Sequence, residues 1–193
     1  AITSAASTLA DSTLVSSSPV AQFVVGGTTF GVATFKLSTA VSGTQATVRE
    51  LRFTTTGTDA IESITVAGVT RNVAGSGAGA TTTIPGLNIA ISSTGTDVPV
   101  TVKYSGFQNS TTGGSLQASI ASVSITLGYI EATSGSGSVI TNSTVVASNV
   151  MTLVASKPTV TVSSTQGGTL ILGAENKVGE FTVSADANGK ISV

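Results

Sequence analysis

Val98-Pro99-Val100-Thr101-Val102-Lys103-Tyr104 alternates one residue type with another at every step. Successive side chains of an extended strand point to opposite faces, so this stretch predicts a strand that buries Val98, Val100, Val102 and Tyr104 on one side. Pro99 has no N–H to give to a neighbour, which places its strand at an edge or a bulge. Upstream, Leu87, Ile89 and Ile91 alternate with Asn88 and Ala90 and predict the strand before it. Residues 22–25, 31–37, 46–54 and 61–66 read as further strands. Strict alternation in the second of the longer ones sets Thr47, Arg49, Leu51 and Phe53 on one face and Val48, Glu50 and Arg52 on the other. The Ser42-Gly43 step between residues 31–37 and 46–54 predicts a hairpin. Between Leu116 and Leu127 the apolar phase slips by one, from Leu116, Ala118 and Ile120 to Val123, Ile125 and Leu127, which predicts a β-bulge. Residues 75–79 and 134–137 are glycine-rich loops, and 139–155 form a closing strand and linker. With about seven or eight short strands, regular turn signals and no helical periodicity, the chain is expected to be all-β, an Ig-like antiparallel β-sandwich. There is no Cys and no Trp, so the disulfide and tryptophan pin of antibody domains is excluded.

Composition narrows the function classes. The chain has 193 residues, enough for one well-cored domain and a fragment of another. Charged residues are 9% of it, far below the ~25% of an ordinary soluble domain. Hydrophobic residues are 40%, so a core can form where a disordered chain could not build one. A net charge of −1 gives no electrostatic footprint for nucleic acid, where Lys and Arg must neutralise phosphates. No apolar run approaches the ~18 residues of a membrane span, and Ala1 suits the residue left after cleavage of an export signal. The absence of His and Cys removes the commonest general base, thiol chemistry and most zinc and copper sites. Asp59, Glu62, Glu131, Glu175 and Glu180 are scattered, with no sign of two carboxylates facing each other across a cleft. Asp186-Ala187-Asn188-Gly189 lacks the further oxygens of a calcium loop and reads as a hairpin turn. The chain is therefore expected to be no enzyme and to hold no cofactor or metal.

The two ends resemble each other. Thr152-Leu153-Val154-Ala155-Ser156-Lys157-Pro158 matches Thr13-Leu14-Val15-Ser16-Ser17-Ser18-Pro19 at an offset of 139, and residues 178–185 match 32–39 at an offset of 146, pairing Phe181 with Phe35 and Gly189 with Gly43. Residues 1–18 are then a leader, either solvated or a donor strand; 19–156 are the sandwich; 157–193 begin a second repeat or form a strand-exchange segment. Asn109-Ser110-Thr111 and Asn142-Ser143-Thr144 match the N-glycosylation sequon, making Asn109 and Asn142 candidate glycan attachment sites.

Residues 48–66, 157–162 and 180–186 resemble the repeated Ig-like β-sandwich domains of large prokaryotic cell-surface and S-layer-type proteins. The resemblance spans most of the chain from Pro19 onward and lies in pattern rather than in one diagnostic motif. It implies a stalk, layer or filament component outside the cell, with no catalytic residue to transfer. The expected function is a structural subunit of an extracellular filament or surface layer, assembling head to tail by β-strand addition between Ig-like domains. Its partners are other copies in a homopolymer, or the continuation of a repeat array. Leu14, Val15, Val160, Val162, Phe181 and Val183 are the candidate subunit contacts, because alternating apolar residues on a spare strand fill a neighbour's core. The alternative is a cell-surface adhesin or carbohydrate-binding stalk module using the loops near Gly75 or Ser134. With only Tyr104 and Tyr129 besides six Phe, a sugar-stacking platform is thin.

Overall fold

The structure, a computed structural model, describes residues 4–5, 8–57, 59–73, 79–106, 121–154, 157–163, 172–173 and 179–184. Among them every regular element is a β-strand. The chain divides into two compact units, Ala1–Val154 and Ala155–Val193.

Two sheets face each other in the first unit. One has the order β2 (Thr13–Leu14), β4 (Thr29–Leu37), β9 (Thr96–Tyr104), β6 (Ile61–Val66), β7 (Val69–Asn72), and is antiparallel throughout. The other is centred on β5 (Thr44–Thr55), flanked by β8 (Thr81–Ser92) and β11 (Ile125–Ser134). Strands β12 (Val139–Asn142) and β13 (Val146–Ala147) pair with β11, and β1 (Ser4–Ala5) runs parallel to the start of β5. A small third sheet joins β10 (Ala121–Val123), β14 (Met151–Val154) and β3 (Phe23–Val25). Val98, Val100, Val102 and Tyr104 are all buried, as their alternation requires. Across the core, the rings of Phe35 on β4 and Phe53 on β5 lie 6.1 Å apart, which sets the two sheets face to face.

Strict alternation fails in β5. Thr44, Ala46 and Val48 are buried, and then Leu51, Phe53 and Thr55. Arg49 is left unmatched by both neighbours: the register with β8 steps from Val48↔Ile89 to Glu50↔Pro85, and the register with β11 from Ala132↔Val48 to Glu131↔Glu50. Against β11 Arg49 is the one extra residue, while against β8 the extra residues are the partner's, 86–88; the irregularity turns β5, so Val48 joins the face of Leu51 and Phe53 instead of that of Glu50 and Arg52. The expected hairpin at Ser42-Gly43 is also corrected. Gly43 does turn the chain, with φ 76°, but β4 and β5 lie in different sheets. Both strands carry an apolar face, and crossing between layers sets the two faces against each other, whereas a hairpin would put them side by side.

Pro99 lies in the second strand from neither edge: β9 is central. Strand β6, however, pairs with β9 only as far as Val66↔Val100 before turning at Ala67-Gly68, so on that flank Pro99 has no β6 residue to bond and its missing N–H costs nothing. The phase slip expected before Leu127 falls largely on residues 107–120, outside the described residues. Val123, Ile125 and Leu127 keep one phase, and the slip that is present comes at Gly128, between Leu127↔Phe53 and Tyr129↔Arg52.

Residues 8–18 pack on the first unit. Leu9 is buried and bridges Thr39, Thr13 and Leu14 pair with Lys36 and Phe35, and the Val15 N–H donates to the Thr34 carbonyl at 2.9 Å. The buried Ser18 hydroxyl accepts from the Thr34 N–H at 2.9 Å and donates to the Thr34 carbonyl at 3.2 Å, standing in for a strand neighbour.

In the second unit β15 (Thr159–Ser163) and β16 (Glu180–Ser184) form an antiparallel pair.

Candidate assembly surface

Val160 and Val162 stand two apart on β15, and Phe181 and Val183 two apart on β16, so each pair points to one side of its strand. The register sets Val160 opposite Val183 and Val162 opposite Phe181. Residues directly opposite each other in an antiparallel pair share a face. All four therefore lie on one face of a two-stranded ribbon, with Thr161 and Thr182 on the other. The face is open: Phe181 is 68% exposed and Val162 70%. Two strands alone are marginal in water, because they bury apolar surface on neither side.

The same geometry occurs, covered, in the first unit. Leu14 of β2 pairs with Phe35 of β4, as Val162 of β15 pairs with Phe181 of β16. Gly27 and Gly173, which precede Phe35 and Phe181 at the same offset of 146, both hold positive φ, 77° and 80°. Yet Phe35 is only 1% exposed. In chain order and register β15 is placed on β16 as β2 is on β4. Thr152-Leu153-Val154, matched to Thr13-Leu14-Val15 in the sequence, belongs instead to β14, where it pairs with β3 and β10.

The remaining candidates are placed as follows. Leu14 and Val15 are half-buried and occupied within their own unit, on β4. Asn109 lies outside the described residues. Asn142 Nδ2, the atom a glycan would take, donates to the Ala10 carbonyl at 3.3 Å and to Asp11 Oδ1 at 3.2 Å. Asp11 Oδ1 also accepts from the Thr144 hydroxyl at 2.6 Å, and the Thr144 N–H donates to Asn142 Oδ1. Hydrogen bonds from Thr144 and then Asn142 hold the Asp11 carboxyl below its ordinary range. The second sequon therefore clips the leader to the connection between β12 and β13.

A polar cluster on the outer face of β5 and β11 escaped the sequence reading. Tyr129 lies opposite Arg52, and Glu131 opposite Glu50. The Arg52 guanidinium sits over the Tyr129 ring at 4.2 Å and bonds Glu50 at 2.7 Å, while the Tyr129 hydroxyl donates to Glu131 at 3.2 Å. The hydrogen bond to Glu50 raises the Arg52 pKa; desolvation, then Glu131, raises that of Tyr129. These two carboxylates are neighbours after all, but on an open strand face where Arg52 and Tyr129 occupy them, with no cleft between. The pairing depends on the bulge at Gly128, which no sequence pattern announced. A groove of about 370 Å³ runs past Gln45, Thr47, Ala90, Ser92, Thr133 and Ser134; its lining holds no charged and no aromatic residue.

Among the described residues no group of three or more acidic side chains is placed to hold a metal ion. No helix among them is long and apolar enough to cross a membrane. Compared with known families, curated proteins and solved structures, the chain matches none.

Proposed function

We propose that this chain is a structural subunit of an extracellular filament or surface layer, assembling head to tail by β-strand addition between Ig-like domains. The observation that carries the reading is the open apolar face of Val160, Val162, Phe181 and Val183 on a two-stranded ribbon. The ribbon is read as a second pair of the β2–β4 kind, with no layer like that over Phe35 covering its apolar face among the described residues. Burying what these four side chains now expose contributes on the order of 5 kcal/mol, at about 1.5–3 kcal/mol per fully buried side chain. Association itself costs at least about 4 kcal/mol. Apolar contact alone would give a weak complex, so main-chain bonding along an added strand is the second contribution the reading requires. Low charge suits such a contact, because few ions need to be stripped of water.

Electron microscopy of the full chain beside a Val162→Asp/Phe181→Asp variant tests this. Filaments or sheets from the native chain, and none from the variant, are expected. Assemblies that form equally well from both would remove the ribbon from the explanation.

A further inference from the structure

Strand β4 has a neighbour on each edge. On one side is β2; on the other is β9, in the register Phe35↔Val98, Thr34↔Pro99, Lys36↔Asp97 and Leu37↔Thr96. Strand β16 has β15 on the edge that corresponds to β2, and no strand on its other edge among the described residues. We infer that this second edge binds an extended strand of the β9 type: an antiparallel segment with a β-branched apolar residue opposite Phe181 and apolar residues at alternate positions after it. The inference rests on the proposed assembly by strand addition and names the partner segment that the second unit accepts.

Three observations specify that partner. First, both β2 and β9 lie antiparallel to β4 with an apolar residue opposite Phe35, and chain order separates them: β15 precedes β16 as β2 precedes β4, so the edge of β16 without a strand among the described residues is matched to the β9 edge. Second, burial differs where β9 and the facing sheet are present: Phe35 and Leu37 are each 1% exposed, against 68% and 41% for Phe181 and Val183. Val98, Val100 and Val102 of β9 are buried in the same core as Phe35, so a strand at this edge contributes side chains to the face as well as main-chain bonds. Third, charge sorts cleanly. Asp97 and Lys103 lie on the exposed face of β9, and Asp97 stands opposite Lys36. The residue of β16 at the Lys36 position is Thr182, at the same offset of 146. An acid at the Asp97 position is therefore dispensable for the incoming strand, whereas the apolar residue at the Val98 position is required.

The test uses a fluorescently labelled peptide of Thr96–Tyr104 titrated into the full chain at a concentration where the chain is monomeric. Saturable binding is expected. It should weaken at least tenfold when the peptide carries Val98→Asp or the chain carries Phe181→Asp, and should be unchanged by Asp97→Asn in the peptide. It should also be unchanged by Phe23→Asp in the chain, an exposed phenylalanine of the first unit, and largely retained with Phe181→Leu. No saturable binding, or binding indifferent to both Val98→Asp and Phe181→Asp, overturns the inference. Filaments that require Phe181 from a chain that ignores the peptide would overturn the β9-type pattern and leave the proposed function standing. A chain that binds the peptide in the expected way but never assembles would uphold the pattern and overturn the homopolymer.

Discussion

Phe35 and Phe181 occupy corresponding places in two strand pairs, and the account requires that their removal act on different properties. Phe35 is 1% exposed and its ring meets Phe53 at 6.1 Å. Phe35→Ala deletes a ring from a closed core, where such changes cost about 3–5 kcal/mol through lost transfer and the cavity left behind. Total stability of a domain is only about 5–15 kcal/mol. At roughly 2–4 °C per kcal/mol for a chain of this size, Tm should fall by roughly 6–20 °C. Phe181 is 68% exposed, and a substitution there should change the stability of the monomer by no more than about 0.5 kcal/mol, while abolishing assembly. Urea denaturation of both variants under monomeric conditions gives the first quantity, and light scattering at high concentration gives the second. The chain has no Trp and two Tyr, so circular dichroism and tyrosine fluorescence are the probes. If Phe181→Ala costs the monomer more than about 2 kcal/mol, or Phe35→Ala less than about 1 kcal/mol, the contrast between a covered and an uncovered copy is wrong.

The turn between β6 and β7 sets Ala67 at φ 47° before Gly68 at 81°, a conformation that suits Asn-Gly; Ala67→Asn should raise stability by about 1 kcal/mol, read as a higher Tm. Burial pushes the Tyr104 hydroxyl from 10.0 up to about 12; a raised folded-state value contributes stability that is complete below pH 10 and lost as pH rises through about 12, so Tyr104→Phe should flatten alkaline melts over that window. Asp11 has a folded-state value below its ordinary 3.8, so its contribution to holding the leader is present above that pH and disappears as pH falls through the folded value. Protection of the Leu9 and Leu14 amides, taken relative to the intrinsic exchange rate at each pH, should therefore fall on acidification in the native chain, and Asp11→Asn should remove that dependence.

Where one face of a strand is buried and the ladder is regular, the residues alone were enough. Val98, Val100 and Val102 show this; Val160 and Val162, and Phe181 and Val183, alternate in the same way, and the register of β15 with β16 puts the four on one exposed face. Legibility ended at features set by a neighbouring strand. The irregularity at Arg49 is set by its partners, β11 passing it with no residue opposite and β8 placing residues 86–88 there, and Val48 and Leu51, three apart, look out of phase until it is known. The glycine at position 43 revealed a turn without revealing that the chain would change sheets there. Thr152-Leu153-Val154 repeats Thr13-Leu14-Val15 in sequence, yet the first pairs with β3 and β10 and Thr13-Leu14 with β4, a difference that local identity does not carry. Glu50 and Glu131 are separated in sequence and meet only through the register of β5 and β11.

The most direct test of the central claim is the mass of the native full chain, measured by sedimentation equilibrium over a wide concentration series. The account predicts a monomer of 18.9 kDa at the lowest concentrations and a continuous rise through successive multiples as concentration increases, as open head-to-tail addition requires. A single species of 18.9 kDa at every concentration would contradict it.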